Sequence, residues 1–115
     1  MPWTEANGVT LHYAVDGPAG GEPLVLVHEL GGTLRSWDHL MPRIVDAGFR
    51  VLRWDWRGSG LSDKIRGELP VEHMAADIAA LMDACGFAGP VNLVGTALGG
   101  GIAVAFAARY SGRVK

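Results

Sequence analysis

Short apolar runs alternate along the chain with longer segments in which apolar residues recur every three or four positions. Residues 9–15 alternate between apolar and polar or small side chains, which predicts a half-buried strand that leads antiparallel into a sheet. Residues 24–27 read Leu-Val-Leu-Val, and a run that is apolar at every position indicates a strand covered on both faces. Residues 49–54 and 91–94 are the next two predicted strands.

Three segments with helical spacing follow the buried strands. The first covers residues 36–47 and ends at Gly48, although Pro42 lies inside it. Residues 71–85 and 97–110 are the second and third predicted helices. Strands that alternate with helices predict an α/β fold, with a mostly parallel sheet and helices on both of its faces. Ligands bind beyond the carboxyl ends of such strands, so the loops that follow them are candidates for the functional site.

Composition limits the chain to one domain and narrows its partners. The 115 residues are 49% hydrophobic, which is enough for one core but not for two. The formal net charge is -2 and charges of both signs are scattered, so we expect neither nucleic acid nor a membrane surface as a partner. The chain has no apolar run of membrane-spanning length and no export signal at its start, which predicts a soluble, cytoplasmic protein.

Cofactor and metal motifs are missing from the sequence. The single cysteine, Cys85, has no second cysteine to form a disulfide or a thiolate metal site, which fits a reducing cytoplasm. Gly99, Gly100 and Gly101 follow a strand, but they lack the G-x-G-x-x-G spacing and the lysine of a phosphate-binding loop. We therefore expect no metal and no cofactor.

Three loops follow the buried strands and carry the candidate chemistry. Residues 28–32 read HELGG, and their backbone N–H groups could stabilise an oxyanion; a tight turn with a buried histidine is the alternative. In residues 55–62, Asp55 and Arg57 are expected to pair or to bond backbone groups, a structural role. Residues 95–99 read GTALG between a strand and a helix, the context of a G-x-S-x-G nucleophile, and the glycines are needed for close packing around a strained centre.

In this order and at these separations, the three loops resemble the α/β-hydrolase fold family, particularly small-substrate members such as enol-lactone hydrolases. LVLVHELGG resembles the family's strand and H-G-x-x-G loop, VLRWDWRGSGLS its D-x-R-G-x-G-x-S segment, and LVGTALGGGIA its nucleophile elbow and following helix. The resemblance runs from about Gly8 to Lys115. It implies that the complete protein hydrolyses a small ester, lactone or amide-like metabolite, with an oxyanion hole formed by the backbone N–H groups of Leu30 and Leu98.

Two residues depart from the family pattern inside these motifs. Ala97 occupies the nucleophile position, and because a methyl group cannot attack a carbonyl, this residue cannot form an acyl-enzyme. Either activated water attacks, or Ala97 replaces a serine; the adjacent Thr96 is not a substitute. Glu29 stands where the family has glycine, and burial there could raise its pKa and make it a general acid or base. A solvent-facing or arginine-paired Glu29 is the alternative.

The largest departure is the absence of catalytic partners after the elbow. The family order places an acid and a histidine downstream of the nucleophile. After Ala97 the chain has no Asp, Glu or His. The sheet is also short, and its last strand would form an exposed edge. We therefore predict that a second chain or a missing C-terminal half completes the sheet and the site.

Residues in the loops beyond the carboxyl ends of the strands are candidates for substrate contact, whereas one helical aspartate is expected to face solvent. We expect His28, Trp56 and Thr96 to contact the small-molecule substrate. Asp77 falls on the polar face of a predicted helix and is expected to be solvated. Two rival functions remain open: a catalytically dead member that binds a ligand or a protein, and a lyase on the same fold, which needs no nucleophile.

Overall fold

Five strands form one mixed sheet in the computed structural model, which describes residues 2–115. Strands β1 (Trp3–Ala6) and β2 (Val9–Asp16) are antiparallel to each other. Strands β3 (Glu22–Val27), β4 (Phe49–Trp54) and β5 (Asn92–Gly95) are mutually parallel, and β2 pairs antiparallel with β4. The spatial order is β1-β2-β4-β3-β5. The carboxyl ends of β3, β4 and β5 therefore lie at one edge, where the three candidate loops begin.

The strand β1 was not predicted from the apolar pattern. It joins β2 through Asn7 and Gly8, which both have positive φ angles of 52° and 81°. An Asn-Gly pair with such angles is typical of a tight hairpin turn. This pair was the available sequence signal, because four residues are too few to show a clear alternation.

Three helices flank the sheet: α1 (Met41–Asp46), α2 (Val71–Ala84) and α3 (Leu98–Arg109). The last two match the predicted helices within one or two residues. The prediction of one helix over residues 36–47 is wrong, because a 3-10 turn (Leu34–Trp37) precedes a separate α1. Pro42 lies in the first turn of α1, where a missing N–H costs nothing, whereas inside a longer helix it would break a hydrogen bond.

Both faces of the central strands β3 and β4 are buried. On one face, Val25 and Val27 of β3 belong to a core with buried residues of α2 and α3. On the other face, Leu24 and Leu26 pack with Trp37 and with residues of α1. The continuous apolar run of β3 follows directly from this arrangement, and the prediction of a strand covered on both faces is confirmed.

Strand β5 lies at the outer edge of the sheet. Beyond it, Val91 forms a single parallel bridge with Val114, and the Lys115 N–H donates to the Val91 carbonyl at 2.9 Å. Val94 in β5 and Val104 in α3 are 44% and 69% exposed. Most of the outer edge of β5 is thus unpaired within residues 2–115, beside exposed apolar side chains. None of the described helices is long and apolar enough to span a membrane.

Candidate active site

A cleft of about 360 Å³ opens between the loop after β3 and the loop after β5. Glu29 lines it on the first side and Thr96 on the second. The 3-10 turn and the residues after it form the remaining wall, which consists of Ser36, Trp37, His39 and Leu40. The 3-10 turn and α1 thus replace the one helix that was predicted, and the residues of the cleft wall lie in this turn and in the link to α1.

Ala97, between β5 and α3, has an unusual backbone conformation. Its φ and ψ angles are 52° and −124°, and it shares a positive φ with only one other non-glycine residue in positions 2–115, Asn7. Such a conformation costs on the order of 1–3 kcal/mol for a residue with a side chain. Hydrogen bonds hold it on both sides: the Thr96 N–H donates to the Val27 carbonyl at 3.2 Å, and the Gly100 N–H donates to the Ala97 carbonyl at 2.9 Å.

Close approach between strand and helix explains the glycines around Ala97. A Cβ atom on Gly95 would contact the Gly99 carbonyl and lie 2.8 Å from the Gly100 nitrogen. A Cβ atom on Gly99 would contact the carbonyl oxygens of Val27 and His28. All of these are backbone atoms that cannot move aside. The expectation that small residues are required two positions before and after Ala97 is confirmed.

The loop after β3 presents a free backbone N–H. The Glu29 carbonyl accepts from the Gly32 N–H at 3.0 Å and from His28 Nδ1 at 2.7 Å. Because a trans peptide is planar, the N–H of Leu30 points away from this anchored carbonyl. Within residues 2–115 neither this N–H nor that of Leu98 has an acceptor, and both residues are exposed, by 62% and 40%.

His28 and Trp56 hold the first two loops together. His28 Nδ1 must carry a proton to donate to the Glu29 carbonyl, so Nε2 accepts the Trp56 backbone N–H at 3.2 Å. The two rings stack with centroids 4.5 Å apart. Burial lowers the pKa of His28, which keeps its imidazole neutral.

The expectation that His28 and Trp56 contact substrate is corrected by their burial. Their exposed fractions are 0% and 1%, so neither side chain offers surface to a ligand. His28 fits the alternative of a tight turn with a buried histidine. The same loop also leaves the Leu30 N–H without an acceptor within residues 2–115, so the two alternatives are compatible. Of the three expected contact residues, Thr96 alone lines the cleft.

Glu29 lies in the cleft wall with its carboxylate folded back on its own loop. Its Oε2 accepts from the Ser36 hydroxyl at 3.3 Å, and its carboxylate lies against Gly32. The expectation of a raised pKa is wrong. Its own backbone N–H, and then the Ser36 hydroxyl, lower the pKa of Glu29, so the side chain is an anion at neutral pH.

The carboxylate of Asp55 accepts hydrogen bonds from several segments, in agreement with the structural role expected for it. It is buried, and its Oδ1 accepts the Leu34 N–H at 2.8 Å. Its Oδ2 accepts the Leu61 N–H at 2.9 Å and His12 Nδ1 at 2.9 Å. Asp55 therefore ties the wall of the cleft, the loop after β4 and strand β2 to one carboxylate.

Arg57 forms a salt bridge with Asp77, which was expected to be exposed to solvent. Its guanidinium donates from Nε and Nη2 to the two carboxylate oxygens of Asp77, each at 2.7 Å. Asp77 is 1% exposed and also accepts from Asn7 Nδ2 at 2.8 Å. The solvated assignment of Asp77 is wrong, because the hairpin at Asn7 covers this part of α2.

A family model described as the alpha/beta hydrolase fold matches residues 22–115. The chain belongs to the α/β-hydrolase fold family. Its relatives include a pyrrolizixenacetamide deacetylase from Xenorhabdus hominickii, 38% identical over 111 residues, with 96% of this chain and 40% of the relative covered. A bifunctional esterase/perhydrolase from Acinetobacter calcoaceticus is 36% identical over 109 residues, with 93% and 38% covered.

Solved structures of this family superpose closely on the chain. The enol-lactonase from Burkholderia xenovorans LB400 is 34% identical with a TM-score of 0.93, and the match covers 99% of this chain and 44% of that one. The chain thus spans about two fifths of the length of the curated relatives above. The resemblance to the α/β-hydrolase family and to enol-lactone hydrolases is confirmed, as is the α/β fold with a mostly parallel sheet.

Sequence reasoning on the α/β-hydrolase motifs missed the two polar residues of the cleft wall that follow the 3-10 turn's start. Ser36 and His39 lie there, in a segment predicted as one continuous helix. Thr33 and Ser36 form a reciprocal cap at the start of the 3-10 turn, and this spacing was a usable signal. Among residues 2–115, no three side chains of His, Cys, Asp or Glu come together as a metal site would require.

Proposed function

We propose that the chain forms the nucleophile-elbow part of a hydrolase that acts on a small ester, lactone or amide-like compound. One observation carries this proposal: Ala97 keeps a strained backbone between β5 and α3 although alanine gains nothing from it. Such strain is found where a functional site requires it. The hydrolases and deacetylase among the relatives support the reaction class.

The oxyanion hole is assigned to the N–H groups of Leu30 and Leu98. Both lack an acceptor within residues 2–115. Leu30 directly follows the cleft residue Glu29, and Leu98, in the first turn of α3, lies two residues after the cleft residue Thr96. Preorganised N–H donors of this kind stabilise the charge that develops on a carbonyl oxygen under attack. A positive helix end adds to the effect at Leu98.

The attacking group follows from the residue at position 97. With alanine there, water attacks the carbonyl, and no acyl-enzyme forms through this residue. Because the lowered pKa of Glu29 makes it a weak base, we assign activation of the water to a group from outside this segment. If Ala97 stands in place of a serine, the reaction passes through an acyl-enzyme instead.

The rest of the site is proposed to come from a further segment or a second chain that covers β5. The unpaired outer edge of β5 and the exposed Val94 and Val104 support this, since such edges recruit another strand. Native mass spectrometry of the purified protein tests it, together with the denaturing mass of each component. A second polypeptide supports the proposal, whereas a stable, monodisperse monomer of 115 residues contradicts it.

The reaction is tested on the isolated assembly with p-nitrophenyl acetate in oxygen-18 water. Hydrolysis places the heavy oxygen in the released acetate, with a rate above that of buffer. A lyase would incorporate none into its product, and a catalytically dead binding member would show no turnover. Either of these outcomes overturns the proposed function.

We also propose a cytoplasmic location, supported by the state of the single cysteine. Cys85 is a free thiol in the described part of the chain, and unpaired cysteines are usual in the reducing cytoplasm. Cell fractionation followed by immunoblotting tests this location, and recovery from an exported fraction contradicts it.

A further inference from the structure

The charge balance of the cleft is one-sided. Its lining contains the carboxylate of Glu29 and no lysine or arginine, as far as residues 2–115 are concerned. The nearby Arg35 is turned to Asp38, with 3.4 Å between Nε and Oδ2. Arg53 is also engaged with Asp38, with Nη1 donating to Oδ1 at 2.6 Å. No described lysine or arginine therefore neutralises the carboxylate in the cleft, where His39 is the one other titratable residue of the lining.

A hydrogen bond from the 3-10 turn and the neighbouring Gly32 orient this carboxylate. The Ser36 hydroxyl donates to it at 3.3 Å, and it lies against Gly32. Both contacts keep it in the wall opposite Thr96, on the loop that carries the Leu30 N–H. A bound carbonyl compound that uses this N–H would place its neighbouring groups beside Glu29.

We propose that Glu29 is a specificity-determining residue that admits substrates with a cationic or neutral polar group beside the scissile bond and rejects those with a carboxylate there. This inference rests on the proposed function for the reacting group and adds the class of substrate. A unit charge at contact distance near a protein surface changes affinity by a factor on the order of ten or more. Ionised Glu29 favours the cation and repels the anion.

Binding of three probes of similar size tests the inference without requiring turnover. Benzylammonium, benzyl alcohol and benzoate are titrated into the isolated assembly with this chain ¹⁵N-labelled, at pH 8, where an ordinary imidazole is neutral. Affinity is read from the Thr96 amide resonance. We expect benzylammonium to bind about tenfold more tightly than benzyl alcohol. Because the Leu30 and Leu98 N–H groups also attract a carboxylate, the benzoate test is the change on removing the charge of Glu29, and Glu29→Gln should tighten benzoate binding.

Matched variants assign the preference to one carboxylate. Glu29→Gln should reduce the preference for benzylammonium to about twofold or less, whereas Glu68→Gln, an exposed residue outside the cleft, should leave it unchanged. Glu29→Ala is a second neutral variant, and the amide spectrum shows whether each variant is folded. An unchanged preference in Glu29→Gln, benzoate binding that is not tightened in that variant, or no benzylammonium response at Thr96 overturns the inference. Because turnover is measured separately, a selective cleft without hydrolysis rejects only the proposed function.

Discussion

At the scale of single residues, neighbouring hydrogen bonds hold Ala97 in a backbone conformation that is unfavourable for a residue with a side chain. The Val27 carbonyl anchors the residue before it, and the first turn of α3 anchors its own carbonyl. Glycine would adopt the same angles without a steric cost. The conformation is therefore a property of the strand-turn-helix unit and persists whichever residue occupies position 97.

Replacing this alanine by glycine should stabilise the protein. We predict that Ala97→Gly raises the free energy of unfolding by about 1 kcal/mol, because relief of strain exceeds the added chain entropy. The matched control, Ala103→Gly in the interior of α3, should lower it by about 1 kcal/mol. Urea denaturation measures both. A loss at position 97 equal to that at 103 would show that the turn is unstrained.

His28 links the stability of the loops to pH. Its folded-state pKa is lowered by burial, so the unfolded chain takes up a proton first as the pH falls below about 6.5. The contribution of neutral His28 is therefore complete above pH 6.5 and is lost progressively below it. We predict that the free energy of unfolding falls between pH 7.5 and 5.5, and that His28→Gln reduces this fall. An identical pH dependence in the variant would contradict the assignment.

At the scale of elements, the contact between β5 and α3 depends on glycines at defined positions. We predict that Gly99→Ala lowers the free energy of unfolding by at least about 2 kcal/mol, because the new Cβ meets backbone carbonyls. Gly101→Ala has only the tip of Leu98 near its Cβ, at 3.9 Å, and should raise stability by about 0.5–1 kcal/mol. Thermal or urea unfolding distinguishes them, and equal effects would contradict the close approach.

Helix α2 is joined to the hairpin and to the loop after β4 through the Arg57 and Asp77 pair. Asp77→Asn removes the counter-charge of a guanidinium whose side chain is only 13% exposed, and we predict a loss of about 3 kcal/mol. Asp83→Asn, whose carboxylate is 67% exposed beside Arg113, should cost less than about 1 kcal/mol. A comparable loss in the two variants, measured by urea denaturation, would mean that the buried pair contributes no more than a surface one.

At the scale of the whole molecule, the period and length of the apolar patterns correctly predicted the strands and helices that bury a whole face in the core. β3 and helices α2 and α3 agree with their patterns, because burial of whole faces fixes those patterns. The single helix over residues 36–47 did not form, since Pro42 favoured a new start.

The candidate site was predictable in its motifs but not in its side-chain environments. The loops after β3, β4 and β5 were located from sequence. The burial of His28, Trp56 and Asp77 was not, because each is covered by residues distant in sequence. The lowered pKa of Glu29 likewise depends on how its loop folds back on Ser36. Long-range contacts of this kind leave no local pattern.

The edge strand β5 connects the candidate active site with the assembly of the whole protein. It carries the turn at Ala97, yet its outer side is mostly unpaired within residues 2–115. A parallel sheet is covered on both faces, and an unprotected apolar edge strand tends to pair with another strand. The proposed hydrolase therefore requires the covered form of the sheet, and activity measurements belong to that assembly.

The most direct test of the proposed elbow is the hydrolysis of p-nitrophenyl acetate by the assembly that carries Ala97→Ser. We predict that kcat/KM rises at least about a hundredfold over the unchanged protein, because the new hydroxyl occupies the strained turn position where a nucleophile would stand. The control Ala108→Ser, an exposed position in α3, should give no gain. A rate for Ala97→Ser no greater than that of the control would contradict the elbow assignment.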